Sequence, residues 1–189
     1  MNDVMKEKTG DLRVRKTIAT IRRAFEEMML EMDYTKITVT ALCARACINK
    51  KTFYRYYPTL DDLLEEVQSE FAAPYVERTS GLRYPEDIEQ IIREFMIYSA
   101  EQGPLYDATL SSGVYASIMQ RMLENMSEER DRNYQPPRGW NEAEWSLYID
   151  HVNSSQVRLY SKWIEDGRKI PAAQMAEMAV KLICDGARI

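Results

Sequence analysis

The sequence contains few of the residues from which most metal and catalytic sites are built. Its 189 residues include one histidine, His151, and three cysteines, Cys43, Cys47 and Cys184. A tetrahedral zinc site takes its ligands mainly from cysteine and histidine, so the pair Cys43 and Cys47 has too few partners to predict a metal site. Because the cysteines are sparse and odd in number, we expect free thiols buried in a helical core, in a reducing compartment.

Long apolar runs and catalytic motifs are also missing. No run reaches the roughly 20 apolar residues that span a bilayer, and the polar N-terminal segment has no signal-peptide core. The sequence has no glycine-rich phosphate loop, nucleophile elbow or zincin motif. Acidic pairs such as Asp61-Asp62 are adjacent, so on a helix they indicate solvated or capping charges. We therefore expect a cytoplasmic protein that is not an enzyme, uses no cofactor and binds no membrane.

Charge of both signs is present, but it is unevenly distributed. Residues 1–60 contain twelve Lys/Arg and seven Asp/Glu, a net charge of +5, whereas residues 61–189 contain thirteen and twenty-three, a net charge of −10. A duplex responds to the local field within a Debye length of about 8–10 Å, so the overall charge of −5 does not exclude DNA. The N-terminal part is predicted to bind nucleic acid; the alternative is a solvated basic face.

Apolar residues at helical spacing, with little sign of strands, predict an all-α fold. Hydrophobic residues make up 45% of the chain, which indicates a packed core. The apolar stripe of a helix over residues 12–32 consists of Ile18, Ile21, Phe25, Met28 and Met29. Further helices are predicted over residues 85–101, 104–126, 141–165 and 172–187, with breaks at Pro74, Gly81 and Pro85.

Residues 38–64 have the pattern of two short helices, a tight turn between them and a longer helix that follows. Thr38 and Asn49 are suitable N-caps, and Pro58 ends the second helix. In helix-turn-helix proteins the second helix enters the major groove while the first crosses the phosphates. Phe53 and Tyr57 are expected to fill the small core, which leaves the polar side chains around them for DNA.

These residues resemble the DNA-binding domain of the TetR family of transcriptional regulators. The similarity spans residues 13–64 and rests on Thr38-Val39, Arg45-Ala46, Thr52-Phe53-Tyr54-Arg55-Tyr56-Tyr57-Pro58 and Asp62-Leu63-Leu64. It implies an N-terminal arm and three-helix helix-turn-helix domain over residues 1–58, followed by a larger helical ligand-binding and dimerisation domain over residues 59–189. The segment from Leu159 onward is similar to the branch that contains regulators of dihydroxyacetone kinase.

Two positions depart from the family's pattern. Cys47 occupies the turn position that is usually glycine, where glycine relieves strain if φ is positive. Leu60 stands where the family usually has a lysine that contacts a phosphate. We therefore expect weaker operator binding, with Lys50 and Lys51 compensating in part. The same departures favour an alternative, a TetR-like co-regulator that acts through a protein partner and does not itself bind DNA.

The resemblance implies a homodimer that binds a palindromic operator, with a repressor favoured over an activator, and a small-molecule effector that relieves repression. Side-chain reach predicts the DNA contacts: Thr38, Thr40, Asn49, Lys50, Lys51, Thr52, Tyr54, Arg55 and Tyr56. Candidate effector contacts, for which a core position is the alternative, are Met96, Tyr106, Tyr115, Met119, Tyr148 and His151. A dimer interface, with an intramolecular core as the alternative, is predicted from Trp145, Val152, Leu159, Trp163, Ala172, Ala176, Ala179 and Ile183.

Overall fold

The computed structural model describes residues 2–110 and 136–186, with side chains from residue 12 onward, and these residues form helices and no β-strand. The helices are α1 (Asn2–Glu31), α2 (Val39–Arg45), α3 (Lys50–Tyr54), α4 (Leu60–Thr79), α5 (Ile88–Glu101), α6 (Pro104–Leu110), α7 (Glu142–Glu165) and α8 (Ala172–Val180). A 3₁₀ turn follows α1 at Tyr34–Lys36, and a π-helical turn follows α8 at Lys181–Asp185. The predicted all-α fold is confirmed. None of these helices is long and apolar enough to cross a membrane.

Local capping determines where several helices begin. The Thr38 hydroxyl accepts a hydrogen bond from the N–H of Ala41, 3.2 Å away, and the Asn49 side chain accepts one from the N–H of Thr52 at 2.8 Å. Both predicted caps are therefore confirmed. Helix α7 begins with a reciprocal capping box between Asn141 and Glu144. Each cap satisfies backbone donors that the first helical turn leaves unpaired.

The chain divides into two compact units, Met1–Val67 and Gln68–Ile189. In the first unit the predicted stripe of α1 is buried from Ile21 onward, and Ile18 is half-buried. Its core also contains Leu42, Phe53, Tyr57, Leu63 and Leu64. Phe53 and Tyr57 thus fill the small core as predicted, with exposed fractions of 0% and 4%.

The second unit has a core of aromatic side chains between α4, α5, α6 and α7. Tyr160 of α7 is fully buried, and its hydroxyl lies 2.7 Å from the Ser99 carbonyl oxygen and 3.0 Å from an Asp107 carboxylate oxygen. Burial and the neighbouring Asp107 raise the pKa of Tyr160 above its usual range. The other Asp107 oxygen accepts a hydrogen bond from Arg168 at 2.5 Å, so this carboxylate joins α6 to α7 and to the turn that follows α7.

Two expectations from the sequence are wrong. Pro74 does not end a helix, because α4 continues through it to Thr79. Proline removes one backbone donor, but Ala72 and Tyr75 beside it are buried, and their packing stabilises the helical path. All three cysteines are free thiols, but only Cys43 is buried; Cys47 and Cys184 are exposed, since one lies in a turn and the other near the end of the last helical segment.

Candidate nucleic-acid interface

The turn between α2 and α3 adopts a backbone conformation that L-residues rarely use. Cys47 has a φ of 52°, in the left-handed region. The N–H of the next residue, Ile48, donates to the Cys43 carbonyl at 3.0 Å and closes the turn. A side chain in this conformation costs about 1–2 kcal/mol relative to the right-handed helix. The prediction that a glycine would relieve strain at this position is consistent with the positive φ.

Helix α3 has one buried face and one exposed, cationic face. Phe53 anchors it, and the ring of Tyr57 lies 5.8 Å from the Phe53 ring. On the other side Lys50, Lys51 and Arg55 are exposed, and their side chains form no hydrogen bond or ion pair with any residue in the described ranges. Their charges are therefore not neutralised by any residue that the structure describes.

The remaining predicted DNA contacts lie on or next to α2 and α3. Thr52 is half-buried, and its hydroxyl donates to the Asn49 side-chain oxygen at 3.0 Å, so Asn49 both caps α3 and orients Thr52. Tyr54 is 54% exposed, Tyr56 is half-buried, and Thr38 and Thr40 are exposed at the start of α2. All nine predicted contacts therefore lie on α2, α3 and the residues that flank these helices, and their contact with DNA stays a prediction.

Arg45 has a different role from Lys50, Lys51 and Arg55. Its guanidinium donates to the Glu31 carboxylate at 2.6 Å and so links α2 to the end of α1. This hydrogen bond holds the pKa of Glu31 below its usual range and raises that of Arg45. The arginine of the family pattern is thus already paired inside the first unit.

The start of α4 is held by one contact of long sequence separation, which the sequence did not reveal, and by a local cap, in agreement with the capping role expected for the Asp61-Asp62 pair. The Tyr34 hydroxyl donates to the Asp61 carboxylate, across 27 positions of sequence, and Thr59 and Asp62 cap the helix reciprocally. Burial, reinforced by Asp61, raises the pKa of Tyr34. Leu60 is half-buried in a hollow of about 380 Å³. Its lining residues are Tyr34, Thr35, Ile37, Val39, Tyr54, Pro58, Thr59, Leu60 and Asp61.

The candidate effector contacts occupy different environments. Met96 and Tyr106 are buried in the second unit's core, where the hydroxyls of Tyr106 and Ser99 are 2.8 Å apart. Tyr148 is half-buried and stacks on Trp145, whereas His151 is exposed on α7. Tyr115 and Met119 lie outside the described residues. An effector site at these residues stays a prediction.

The candidate dimer contacts divide into two groups. Val152, Trp163, Ala176 and Ala179 are buried in the chain's own core, which is the alternative left open by the sequence for these four. Trp145, Leu159, Ala172 and Ile183 are half-buried and pack against that core. Leu159 also lines an open groove between α7 and α8, here called the α7–α8 groove, of about 230 Å³. Its lining residues are Leu159, Lys162, Trp163, Asp166, Lys169, Ile170, Met175, Met178 and Leu182.

Comparison with protein families gives the second unit an assignment. Residues 86–185, more than half of the chain, match the family model of the TetR transcriptional regulator C-terminal region. The chain belongs to the TetR family of transcriptional regulators. The prediction that it is not an enzyme is confirmed by this membership.

Two individual proteins that the chain is similar to share less than a quarter of its residues. The chain is 23% identical over 179 residues to the uncharacterized HTH-type transcriptional regulator YxbF of Bacillus subtilis (strain 168), an alignment that covers 90% of this chain and 45% of YxbF. It thus spans less than half of that curated relative. A TetR transcriptional regulator from Streptococcus agalactiae 2603V has a TM-score of 0.63 at 22% identity, over 94% of this chain and 98% of that one, which shows the fold.

A second solved structure is the dihydroxyacetone kinase operon activator DhaS. It has a TM-score of 0.43 and 16% identity over 89% of this chain and 94% of its own. A likeness of this size carries no argument about branch or activity. The narrower similarity to regulators of dihydroxyacetone kinase stays a prediction.

Proposed function

We propose that this TetR-family chain is a homodimeric DNA-binding regulator whose helix α3 enters the major groove of a palindromic operator. The observation that supports it best is the exposed face of Lys50, Lys51 and Arg55, whose charges have no partner among the described residues. An anionic duplex is the partner that such a face favours, since phosphate contacts by Lys and Arg release counterions. Phe53, buried behind this face, keeps the helix in a fixed orientation.

The proposed contacts differ in what they read. Lys50, Lys51 and Thr52 belong to the first turn of α3 and are assigned to base edges, where a lysine binds guanine O6 or N7. Tyr54, Arg55 and Tyr56, with Thr38 and Thr40 on α2, are assigned to phosphates, which set the register without reading sequence. Asn49 retains a side-chain N–H₂ for a phosphate or base, because its oxygen is used in the cap.

Selection of bound fragments from random duplex DNA tests this proposal. We expect a palindrome with half-sites one helical turn, or a multiple of it, apart. The Lys50→Ala/Lys51→Ala variant should bind that palindrome at least about 100-fold more weakly in a gel shift, because each lost base contact is worth about 1–3 kcal/mol. The control variant Arg138→Ala/Lys181→Ala removes the same charge from exposed positions of the second unit. Equal affinity of wild type and the Lys50/Lys51 variant would exclude α3 as the reading helix.

For the dimer we propose that the α7–α8 groove packs against the same groove of a second copy. Met178 in this groove is 44% exposed, a large apolar side chain at the surface. Met178→Lys should give monomers in sedimentation, because a symmetric interface would bury two lysines. Leu147→Lys is the matched control on α7, since Leu147 is 72% exposed and outside the groove. Dimers of Met178→Lys as stable as wild type would contradict this interface.

We further propose a repressor that a small-molecule effector releases from DNA. Two buried amides, Gln68 and Gln156, support an effector in the second unit, because their side-chain oxygens have no hydrogen-bond partner among residues 12–110 and 136–186. A buried polar atom without a partner costs about 1–3 kcal/mol, and a ligand's donor would remove that cost.

Transcription in vitro from a promoter that overlaps the selected palindrome should fall when the protein is added. Stimulation instead would identify an activator.

The alternative is a co-regulator that acts through a protein partner. Leu60 favours it, because a half-buried leucine stands where the family's phosphate-binding lysine is expected. The two proposals separate in the fragment selection. Failure of the wild-type protein to enrich any palindrome would favour the co-regulator.

A further inference from the structure

Residues 12–20 of α1, the first whose side chains the structure describes, lie outside the fully buried core of the first unit. Burial along this helix begins at Ile21, and no residue from 12 to 20 is fully buried. Leu12 is 55% exposed. Helices are stabilised mainly by an apolar face packed against a core. In α1 the fully buried part of that face begins only at Ile21. A role other than core packing is therefore to be sought for this part of α1.

A groove runs between this part of α1 and the α2–α3 turn. Arg13, Lys16, Thr17 and Thr20 share one face of α1, because they lie at helical steps of three and four. The groove has a volume of about 450 Å³. We call it the α1 groove, and it is lined by Leu12, Arg13, Lys16, Thr17, Thr20, Ala46 and Ile48. Ala46 and Ile48 flank Cys47, and Ile48 directly precedes the N-cap of α3.

The cations of this groove differ from those farther along the same helix. Arg22 pairs with Glu26 at 3.2 Å, and Arg23 lies 3.7 Å from Glu27. The side chains of Arg13 and Lys16 have no hydrogen-bond or ion-pair partner in the described part of the chain. Their charges are therefore available to a partner outside the first unit.

The hydroxyls of Thr17 and Thr20 donate to backbone carbonyls of α1, so Arg13 and Lys16 supply the groove's remaining side-chain donors. The Thr17 hydroxyl donates to the Arg13 carbonyl at 2.9 Å, and the Thr20 hydroxyl donates to the Lys16 carbonyl at 2.8 Å. The rest of the lining consists of the apolar side chains of Leu12, Ala46 and Ile48. A groove lined by two cations and three apolar side chains suits an occupant that alternates anionic and carbon-rich groups.

We propose that the α1 groove binds the sugar–phosphate backbone of duplex DNA that flanks the bases read by α3. Arg13 and Lys16 bind phosphates, and Leu12 and Ile48 contact deoxyribose. The groove borders the start of α3, so the two DNA-binding surfaces are continuous. This inference rests on the proposed DNA-binding function. It adds contacts that supply affinity without sequence preference, since phosphates carry no base identity.

The salt dependence of binding tests the inference. Each phosphate contact adds about 0.9 to the slope of log affinity against log salt, so two contacts in each protomer of a dimer add about 3.6. For the Arg13→Ala/Lys16→Ala variant the slope on the selected palindrome should be smaller by about 3.6, and the base preference should be the same as that of wild type. Its affinity deficit should shrink by about 100-fold as salt rises from about 50 to 200 mM. Arg23→Ala, an exposed cation on the same helix, is the control and should change the slope little.

Shortening the duplex separates this inference from the proposed function. Removing the flanking base pairs should weaken wild type and leave the Arg13→Ala/Lys16→Ala variant nearly unaffected, because the variant no longer uses them. Equal losses by both proteins, or an unchanged salt slope, would overturn the groove assignment while the palindrome still binds. Absence of any selected palindrome would instead refute the proposed function. A melting temperature of the variant equal to that of wild type would show that the first unit is intact.

Discussion

The exposed cations of helix α3 in the first unit of this TetR-family chain differ from two arginines of the second unit. In the second unit Arg93 forms two hydrogen bonds to Glu177, at 2.6 and 3.2 Å, and joins α5 to α8, while Arg168 binds Asp107. In the first unit Lys50, Lys51 and Arg55 have no such partner among the described residues. The electric field of a paired cation is largely cancelled by its acidic partner, whereas that of an unpaired cation can attract an external anion. The comparison indicates that Arg93 and Arg168 serve internal contacts, whereas the cations of α3 remain available to an external anion.

The largest expected effect contrasts two neighbouring residues of α3. Phe53→Ala should destabilise the first unit by about 3–5 kcal/mol, because the fully buried ring leaves a cavity. Tyr54→Ala should cost about 1 kcal/mol or less, since Tyr54 is 54% exposed and loses only the edge contact of its ring with Phe53, at 5.4 Å between centroids. Denaturant unfolding followed by circular dichroism measures both. A loss at Tyr54 equal to that at Phe53 would mean that the exposed face of α3 also stabilises the fold.

A second pair of variants tests the contrast between the cations directly. Arg168→Ala should cost about 1–2 kcal/mol, because it leaves the Asp107 carboxylate with one fewer charged partner and removes the guanidinium 5.3 Å from the Trp163 ring. Arg168 is partly exposed, so solvent screening keeps the cost at this low level. Lys51→Ala should leave stability unchanged and weaken DNA binding. Thermal unfolding and gel shifts measure both effects. If Lys51→Ala were the less stable of the two variants, the contrast between the cations of α3 and the paired arginines would be wrong.

The smallest expected effect is a gain at the α2–α3 turn. Cys47→Gly should stabilise the first unit by about 0.5–1 kcal/mol, because glycine removes the cost of the positive φ and loses part of that gain to its greater freedom in the unfolded chain. Cys47→Ala is the control, since alanine keeps the same backbone cost. A rise in melting temperature for Cys47→Gly alone is expected. Equal shifts for both variants would assign the effect to the thiol instead of the backbone.

Local features of the first unit could be predicted because their causes lie within a few residues. Thr38 and Asn49 cap helices through bonds to donors three positions away, and the stripe of Ile21, Phe25 and Met28 repeats at helical spacing. Contacts of long sequence separation, such as Tyr34 with Asp61, gave no comparable signal. Neither residue type nor spacing indicates which distant side chain a hydroxyl will meet.

The alanines of α8 show the same limit for apolar faces. Ala176 and Ala179 share a face of small residues, which indicates close helix packing without naming the partner. The structure buries both inside the chain, so the partner of this face is the chain's own core. A dimer contact, if made by these helices, has to use side chains that remain accessible, such as Met178.

The sequence alone determined the helical class, the caps, the buried face of α1 and the uneven charge, because each depends on residue type and local spacing. It also carried the resemblance that the family comparison confirmed. The tertiary structure decided that α4 continues through Pro74, that Arg45 is paired while Lys50 and Lys51 have no partner in the described ranges, and that the alanines of α8 are internal. These outcomes depend on which distant groups come together, and the chain settles that by packing its faces in three dimensions.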